Sequence, residues 1–210
     1  MDENDRLNKD LLDFLLRKTA AVRLGVKPGE LLPVWRRYGG CPGGAGLGLE
    51  DALSLLALPH RELRADDQRA LVLFYHPGAL TRALAAPACR ALLARLGYPA
   101  GGGAGELLAC LESRFRDPGR FPHEVGLFLG YPAKDVEGFL TKRQRPRAGK
   151  TPWVVYGDAQ ESYRRIAAFR RVEAAAGQLL RQCGGLRYFL ESFQSFAMAR
   201  QCAGELDYSA

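Results

Sequence analysis

The chain has 210 residues and a mass of 23.1 kDa with 47% hydrophobic residues, a size and composition that fit one packed domain with an appended helical tail. Lys and Arg number 30 against 23 Asp and Glu, a net charge of +7 that permits contact with nucleic acid or anionic lipid without establishing either. The five cysteines are odd in number and include no C-x-x-C pair, which argues against a disulfide framework and a zinc ribbon, while the acidic start Met1-Asp2-Glu3-Asn4-Asp5 and the lack of a long apolar run lead us to expect a cytoplasmic protein with no membrane contact.

The first element is an amphipathic helix from Asp5 to Lys18, because Leu7, Leu11, Phe14 and Leu15 recur at helical spacing and Arg17 and Lys18 suit a C-terminus. Gly25 and Pro28 break that periodicity, and Glu30 to Tyr38, with Val34 and Trp35, is expected to be a strand. Gly39 to Gly48 is a loop by composition. The G-x-G-x-x-G fragments within it lack the βαβ context of a dinucleotide fingerprint.

A short helix from Leu49 to Leu58 leads to two expected strands, His60 to Arg64 and Ala70 to His76, joined by the polar turn Ala65-Asp66-Asp67-Gln68. Leu71-Val72-Leu73-Phe74-Tyr75 is continuously apolar, so the second of these strands should be central and covered on both sides. Helices follow from Gly78 to Ala86, Pro87 to Leu96 and Glu106 to Phe115, with Cys89 and Cys110 on apolar faces as core residues. Leu96-Gly97-Tyr98-Pro99 and Leu129-Gly130-Tyr131-Pro132 repeat one sequence 33 residues apart. Their upstream residues differ, so we read one helix-ending solution used twice rather than a solenoid.

The most informative stretch runs from Phe121 to Leu140. Pro122 suits a first helical position and Glu124 the positive end of the helix dipole, Gly130 can close that helix in a left-handed conformation, and Pro132 can open another. In the second helix Val136, Phe139 and Leu140 share one face, so Lys134, Asp135 and Glu137 are expected to point away from the core. A basic loop, Lys142 to Lys150, has no aromatic residues for base stacking. Trp153 to Tyr156 is expected to be a last strand, followed by a long helix from Ala159 to about Cys183 that buries Tyr163, Ile166, Ala167 and Phe169. A terminal helix from Leu186 to Gln201 carries Tyr188, Phe189, Phe193 and Phe196. These aromatics either pack back on the domain or form a patch suited to a homodimer.

The run F-P-H-E-V-G-L-F-L-G-Y-P-x-x-D-V-x-G-F resembles the signature of an uncharacterised bacterial family, domain of unknown function 3793. Leu24-Gly25-Val26-Lys27-Pro28, Leu71 to Pro77 and Trp153-Val154-Val155-Tyr156-Gly157 are similar to an early Lys-Pro element, an apolar strand and a late W-x-V-Y segment of the same family. The resemblance implies a cytoplasmic bacterial protein with no assigned reaction. Members of that family commonly carry cysteines near the positions of Thr19 and Lys150, and this chain has neither, which argues against a thiol or metal role here.

The expected fold is α+β, a small mostly antiparallel sheet of about four strands packed with several helices, ending in a long helix plus a terminal one. Residues 1–183 would form the domain and 184–210 a tail packed on it. Three functional readings remain. In the first, a non-catalytic binding or accessory protein holds a small molecule in a pocket formed by His123, Glu124, Tyr131, Trp153 and Tyr156, with Lys27 as a further ligand-binding residue. In the second, an enzyme uses His123 as general base, since a helix start disfavours the charged imidazole, with Glu124 or Asp135 as orienter on a small acidic substrate. In the third, the basic loop contacts RNA. No H-E-x-x-H zinc site exists, because position 127 is Leu, and no cofactor is implied.

Overall fold

The apolar run Leu71 to Tyr75 offers no side chain that prefers water, and the fold covers it from both sides. The computed structural model describes residues 3–35, 49–142 and 152–182, together with Phe189, Ser192, Phe193 and Ser195. In chain order the elements are α1 (Glu3–Arg23), β1 (Gly29–Trp35), α2 (Leu49–Leu56), β2 (His60–Ala65), β3 (Arg69–Tyr75), α3 (Pro77–Ala85), α4 (Pro87–Arg95), α5 (Ala104–Phe115), α6 (Val125–Phe128), α7 (Ala133–Thr141) and α8 (Gln160–Gln182). β3 lies between β1 and β2 and is antiparallel to both.

Alternation along β3 divides the molecule into two cores. Ala70, Val72 and Phe74 face one side, where they pack with Leu11, Leu15 and Leu16 of α1, Leu53 and Leu56 of α2, and Val172 and Ala176 of α8. Phe189 and Phe193 are buried in the same core, their rings 5.0 Å apart and nearly parallel. Leu73 faces the other side, with Leu71 and Tyr75 partly buried around it, against the buried side chains of α3 to α7. Fully burying an aliphatic or aromatic side chain of this size contributes about 1.5–3 kcal/mol, so the paired cores account for the central placement of β3. A bulge between Glu62 and Arg64 leaves Leu63 out of the ladder and turns it into the second core. Next to it, the Arg64 guanidinium donates to the carbonyls of Phe115, Asp117 and Arg120, tying β2 to the end of α5.

The two L-G-Y-P sequences do end their helices alike. Gly97 and Gly130 both have φ +82°, and the amide of the following tyrosine reaches back five residues, Tyr98 N–H to Leu93 O at 3.0 Å and Tyr131 N–H to Gly126 O at 2.9 Å. His76, expected as the last residue of a strand, caps α3 by accepting from the Ala79 amide through Nδ1.

Several expectations are corrected. Among the described residues the sheet has three strands rather than four. Trp153 to Tyr156 joins no ladder, because its backbone is bonded by side chains: the Tyr156 amide donates to Asp135 and its carbonyl accepts from Lys134. Asp135, expected at the surface, is 2% exposed, and Phe139, expected inside, is 38% exposed. The polar network at the start of α7 outweighs the apolar face in setting that helix's rotation. α8 is rotated likewise, burying Ser162, Ile166, Val172, Ala175, Ala176 and Gly177 while Tyr163 and Ala167 are exposed. α1 continues five residues past Lys18 because Thr19, Ala20, Ala21 and Val22 are buried in it. After Pro122 the helix is a single turn, α6, preceded by a turn at His123 and Glu124. The Gly39–Gly48 loop, residues 143–150 of the basic loop, Tyr188, Phe196, and Cys41, Cys183 and Cys202 lie outside the described residues.

Helix propensity favours Ala over Gly at position 138 by roughly 1 kcal/mol, but a Cβ there would run into the Tyr156 ring. Overpacking of this kind costs about 1–3 kcal/mol. Gly138→Ala is therefore expected to lower the urea midpoint, whereas an exposed helical glycine such as Gly105 changed to Ala should raise it or leave it unchanged.

Candidate functional site

Two of the residues singled out in the sequence, Trp153 and Tyr156, come together around one carboxylate. Asp135 sits in the first turn of α7, and its Oδ2 accepts from Trp153 Nε1–H at 2.8 Å and from Ser162 Oγ–H at 2.6 Å. Oδ1 accepts from the Tyr156 amide and from Lys134 Nζ, each at 2.8 Å. Lys134 Nζ also donates to the Tyr156 carbonyl at 2.9 Å and to Ser162 Oγ at 2.8 Å. Burial pushes the Asp135 pKa up, but the bonds from Lys134, Ser162, the Tyr156 amide and Trp153 outweigh it and hold the carboxyl below its ordinary value. The sequence reading missed this role for Asp135, because no periodicity marks a carboxylate that will be bonded by its neighbour Lys134 and by three donors from segments 18 to 27 residues away.

The bond from Trp153 fixes its indole, and the indole stacks on Tyr131 with centroids 4.3 Å apart and planes 18° from parallel. Two cavities share this pair. One, about 370 Å³, is mostly apolar and is lined by His123 with Phe121, Val125, Leu129, Val136 and Phe139. The other, about 680 Å³, is lined by Lys18, Lys27, Phe169, Arg170 and Glu173. Glu30, Tyr131 and Trp153 belong to both. Burial, with the nearby Glu30 charge, pushes the Tyr131 phenol up to about 12, so it stays a neutral hydroxyl.

Lys27 is 8% exposed, pairs with Glu30 at 2.6 Å, and holds its ammonium 5.2 Å from the centre of the Phe169 ring. Pro28 packs directly on the Gly130 turn, where a Cβ on Gly130 would stand 2.6 Å from Pro28 Cδ. The Lys-Pro element, the Gly-Tyr turn and the tryptophan segment, far apart in sequence, thus meet at one place. Arg165 of α8 adds a bond from Nη1 to the Gly130 carbonyl at 2.8 Å.

The other predicted residues are placed differently. His123 is exposed at the mouth of the apolar cavity between Phe121 and Phe139, at 5.1 and 4.9 Å between ring centres, and its imidazole makes no hydrogen bond among the described residues. Glu124 points to the opposite side of the turn. It is 1% exposed, and its Oε1 accepts from Arg114 Nη1 at 3.0 Å and from the Tyr98 hydroxyl at 3.4 Å. Arg114 also lies over the Tyr98 ring at 4.2 Å and donates to the Leu96 carbonyl. Burial and the Glu124 charge push the Tyr98 phenol well above its usual range. His123 and Glu124 therefore serve separate surroundings, as their 100° separation on a helical turn requires. Tyr156 is buried against Gly138 and lines neither cavity. Cys89 is buried with its thiol pushed up to about 11, an unreactive state at neutral pH. Among the described residues no three His, Cys, Asp or Glu side chains are arranged to hold a metal, and no helix is long and apolar enough to cross a membrane.

A carboxylate with a depressed folded pKa stabilises the fold above its unfolded value near 4, and that contribution is lost as pH falls through the folded pKa. Asp135→Asn places an amide N–H₂ among donors and should cost about 3 kcal/mol or more at pH 7. Urea unfolding is expected to show this loss, together with a shallower fall in stability below about pH 4 than in the wild type.

Among known proteins, the model of the family described as "Protein of unknown function (DUF3793)" matches residues 15–188. No curated protein and no solved structure matches the chain.

Proposed function

The chain belongs to the DUF3793 family, and on that premise we propose that it is a binding protein for a small molecule, held in the cleft that the Tyr131–Trp153 stack divides. The observation that carries this reading is that stack: two large aromatic side chains fixed nearly parallel, with an apolar cavity and a more polar one sharing them. Volumes of about 370 and 680 Å³ lie within the range of sites that take small organic ligands, on the order of 300–1,000 Å³. Phe121 and Phe139, 40% and 38% exposed at the rim, are apolar surface that a ligand would cover.

The binding role is preferred over catalysis because of what surrounds the imidazole. A general base needs a partner that fixes its tautomer and orientation. The nearest ring neighbours of His123 are two phenyl groups, Glu124 is turned to Arg114 and Tyr98, and Asp135 is committed to four other donors. In this setting the imidazole serves as an amphipathic edge of the pocket.

A neutral naphthalene dye such as 6-propionyl-2-(dimethylamino)naphthalene is expected to brighten and shift to the blue on the protein. Phe139→Ser, at a side chain already partly in solvent, should weaken it by about tenfold, the order of effect of removing one large apolar contact. Dye binding unchanged by that substitution would remove the cleft from consideration.

A further inference from the structure

The two cavities of the cleft share Glu30, Tyr131 and Trp153, and the first two bring unused hydrogen-bonding capacity to the shared space. Glu30, at the start of β1, accepts from Lys27 Nζ through Oε2 at 2.6 Å, while its Oε1 has no hydrogen-bond partner among the described residues. The Tyr131 hydroxyl has none among them either, whereas the Trp153 indole N–H is already given to Asp135. Neither oxygen is sealed in the core. Among the described residues the buried side-chain polar atom left without a partner is Glu124 Oε2, on the far side of the turn, so the open oxygens of Glu30 and Tyr131 reach solvent in the cleft.

The chemistry of these two groups restricts what can sit between them. An ionised carboxylate only accepts, so a ligand gains a bond at Glu30 Oε1 by presenting an N–H or O–H. The Tyr131 phenol is kept neutral by burial and by the Glu30 charge, so it can donate to an oxygen of the ligand. The ligand's charge is restricted from both sides. An anion would face Glu30, and a cation would face the Lys27 ammonium, which is held beside the same carboxylate by their ion pair and lies 5.2 Å from the centre of the Phe169 ring. A neutral group with a donor and an acceptor side by side meets neither repulsion. An amide carries both in one rigid plane, and a flat aromatic body attached to it suits the apolar walls formed by Phe121, Val125, Leu129, Val136 and Phe139.

We propose that the ligand is a neutral aromatic amide, a primary carboxamide or a lactam, whose N–H donates to Glu30 Oε1, whose carbonyl accepts from the Tyr131 hydroxyl, and whose rings occupy the apolar cavity. The proposal rests on the cleft being a ligand site and adds the chemical class and the orientation. A hydrogen bond to an ionised acceptor is roughly twice as strong as one between neutral groups. Glu30 therefore sets the selectivity, and Tyr131 adds to the affinity.

The test is displacement of the neutral naphthalene dye from the full chain by 2-naphthamide, 2-acetonaphthone and 2-naphthoate. The first two differ only in an NH₂ where the ketone has a CH₃. The amide should bind at least about tenfold more tightly than the ketone, the order of effect of one hydrogen bond to a charged acceptor, and the anionic naphthoate should bind most weakly. The preference for the amide should disappear in Lys27→Met/Glu30→Ala, which removes both charges of the pair and leaves no buried ion alone. Glu30→Gln takes its place if the double variant does not fold or loses the dye, and there the preference should fall at least about threefold, as expected when a charged acceptor becomes a neutral one. Tyr131→Phe, which keeps the ring of the stack, should weaken amide and ketone alike, since both carry the carbonyl. Equal affinity of amide and ketone, or a preference unchanged by the substitutions at Glu30, would overturn the amide assignment while persistent dye binding left the cleft standing. Tightest binding by 2-naphthoate would overturn it in favour of an anionic ligand. Failure of the wild-type protein to bind the dye or any of the three compounds would end both readings.

Discussion

One buried carboxylate ties α7, the segment before α8 and α8 itself together. Asp135 accepts from the indole of Trp153, the amide of Tyr156, the hydroxyl of Ser162 and the ammonium of Lys134, and these donors come from α7, the segment before α8, and α8 itself. An unpaired charge in that position would be costly to bury, and a fully bonded one is directional. The consequence reaches the cleft, because the bond that orients the indole also sets the plane on which Tyr131 stacks. A polar network in one core thereby determines the shape of a cavity on its surface.

The sheet supplies the frame on which that network is hung. β3 is buried on both faces, so the helices before and after it divide into two layers, with α1, α2 and α8 on one side and α3 to α7 on the other. The cleft lies where elements of both layers meet: Lys27 and Pro28 lead from α1 into β1, the Gly130 turn leaves the second layer, and Phe169 belongs to α8. Such a junction leaves concave space because helices packed on opposite faces of one sheet cannot also close on each other at its edge. The Tyr131–Trp153 stack, with Phe169 tilted beside the indole at 6.3 Å, lines that space without filling it.

His123 and Glu124 show how adjacent residues can be driven apart by packing. Glu124 is drawn into the molecule by Arg114 and the Tyr98 hydroxyl, and its Oε2 is buried without a hydrogen-bond partner among the described residues. That arrangement fixes the turn, and the neighbouring imidazole is left facing outward between two phenyl rings. In sequence the two residues stand side by side as a candidate base and its orienter, and in three dimensions Glu124 pairs with Arg114 while His123 lies at a cavity rim.

Periodicity and local backbone chemistry were enough to locate most elements. The uninterrupted apolar run at 71 to 75 required a strand covered twice, the prolines at 87 and 132 marked helix starts, and Gly97 and Gly130 marked ends that only a left-handed residue can make. These features are local, so they survive without knowledge of the partners. What tertiary structure alone decided is which way the helices turn and which polar groups go inside. Asp135 and Ser162 are buried, Phe139 and Tyr163 are exposed, and Trp153 to Tyr156 is no strand, because hydrogen bonds between residues 18 to 28 positions apart outweigh the apolar pattern there. A pocket around His123, Tyr131 and Trp153 was expected, but its outline was not, because its walls are built from segments of chain that have nothing in common until the fold brings them together.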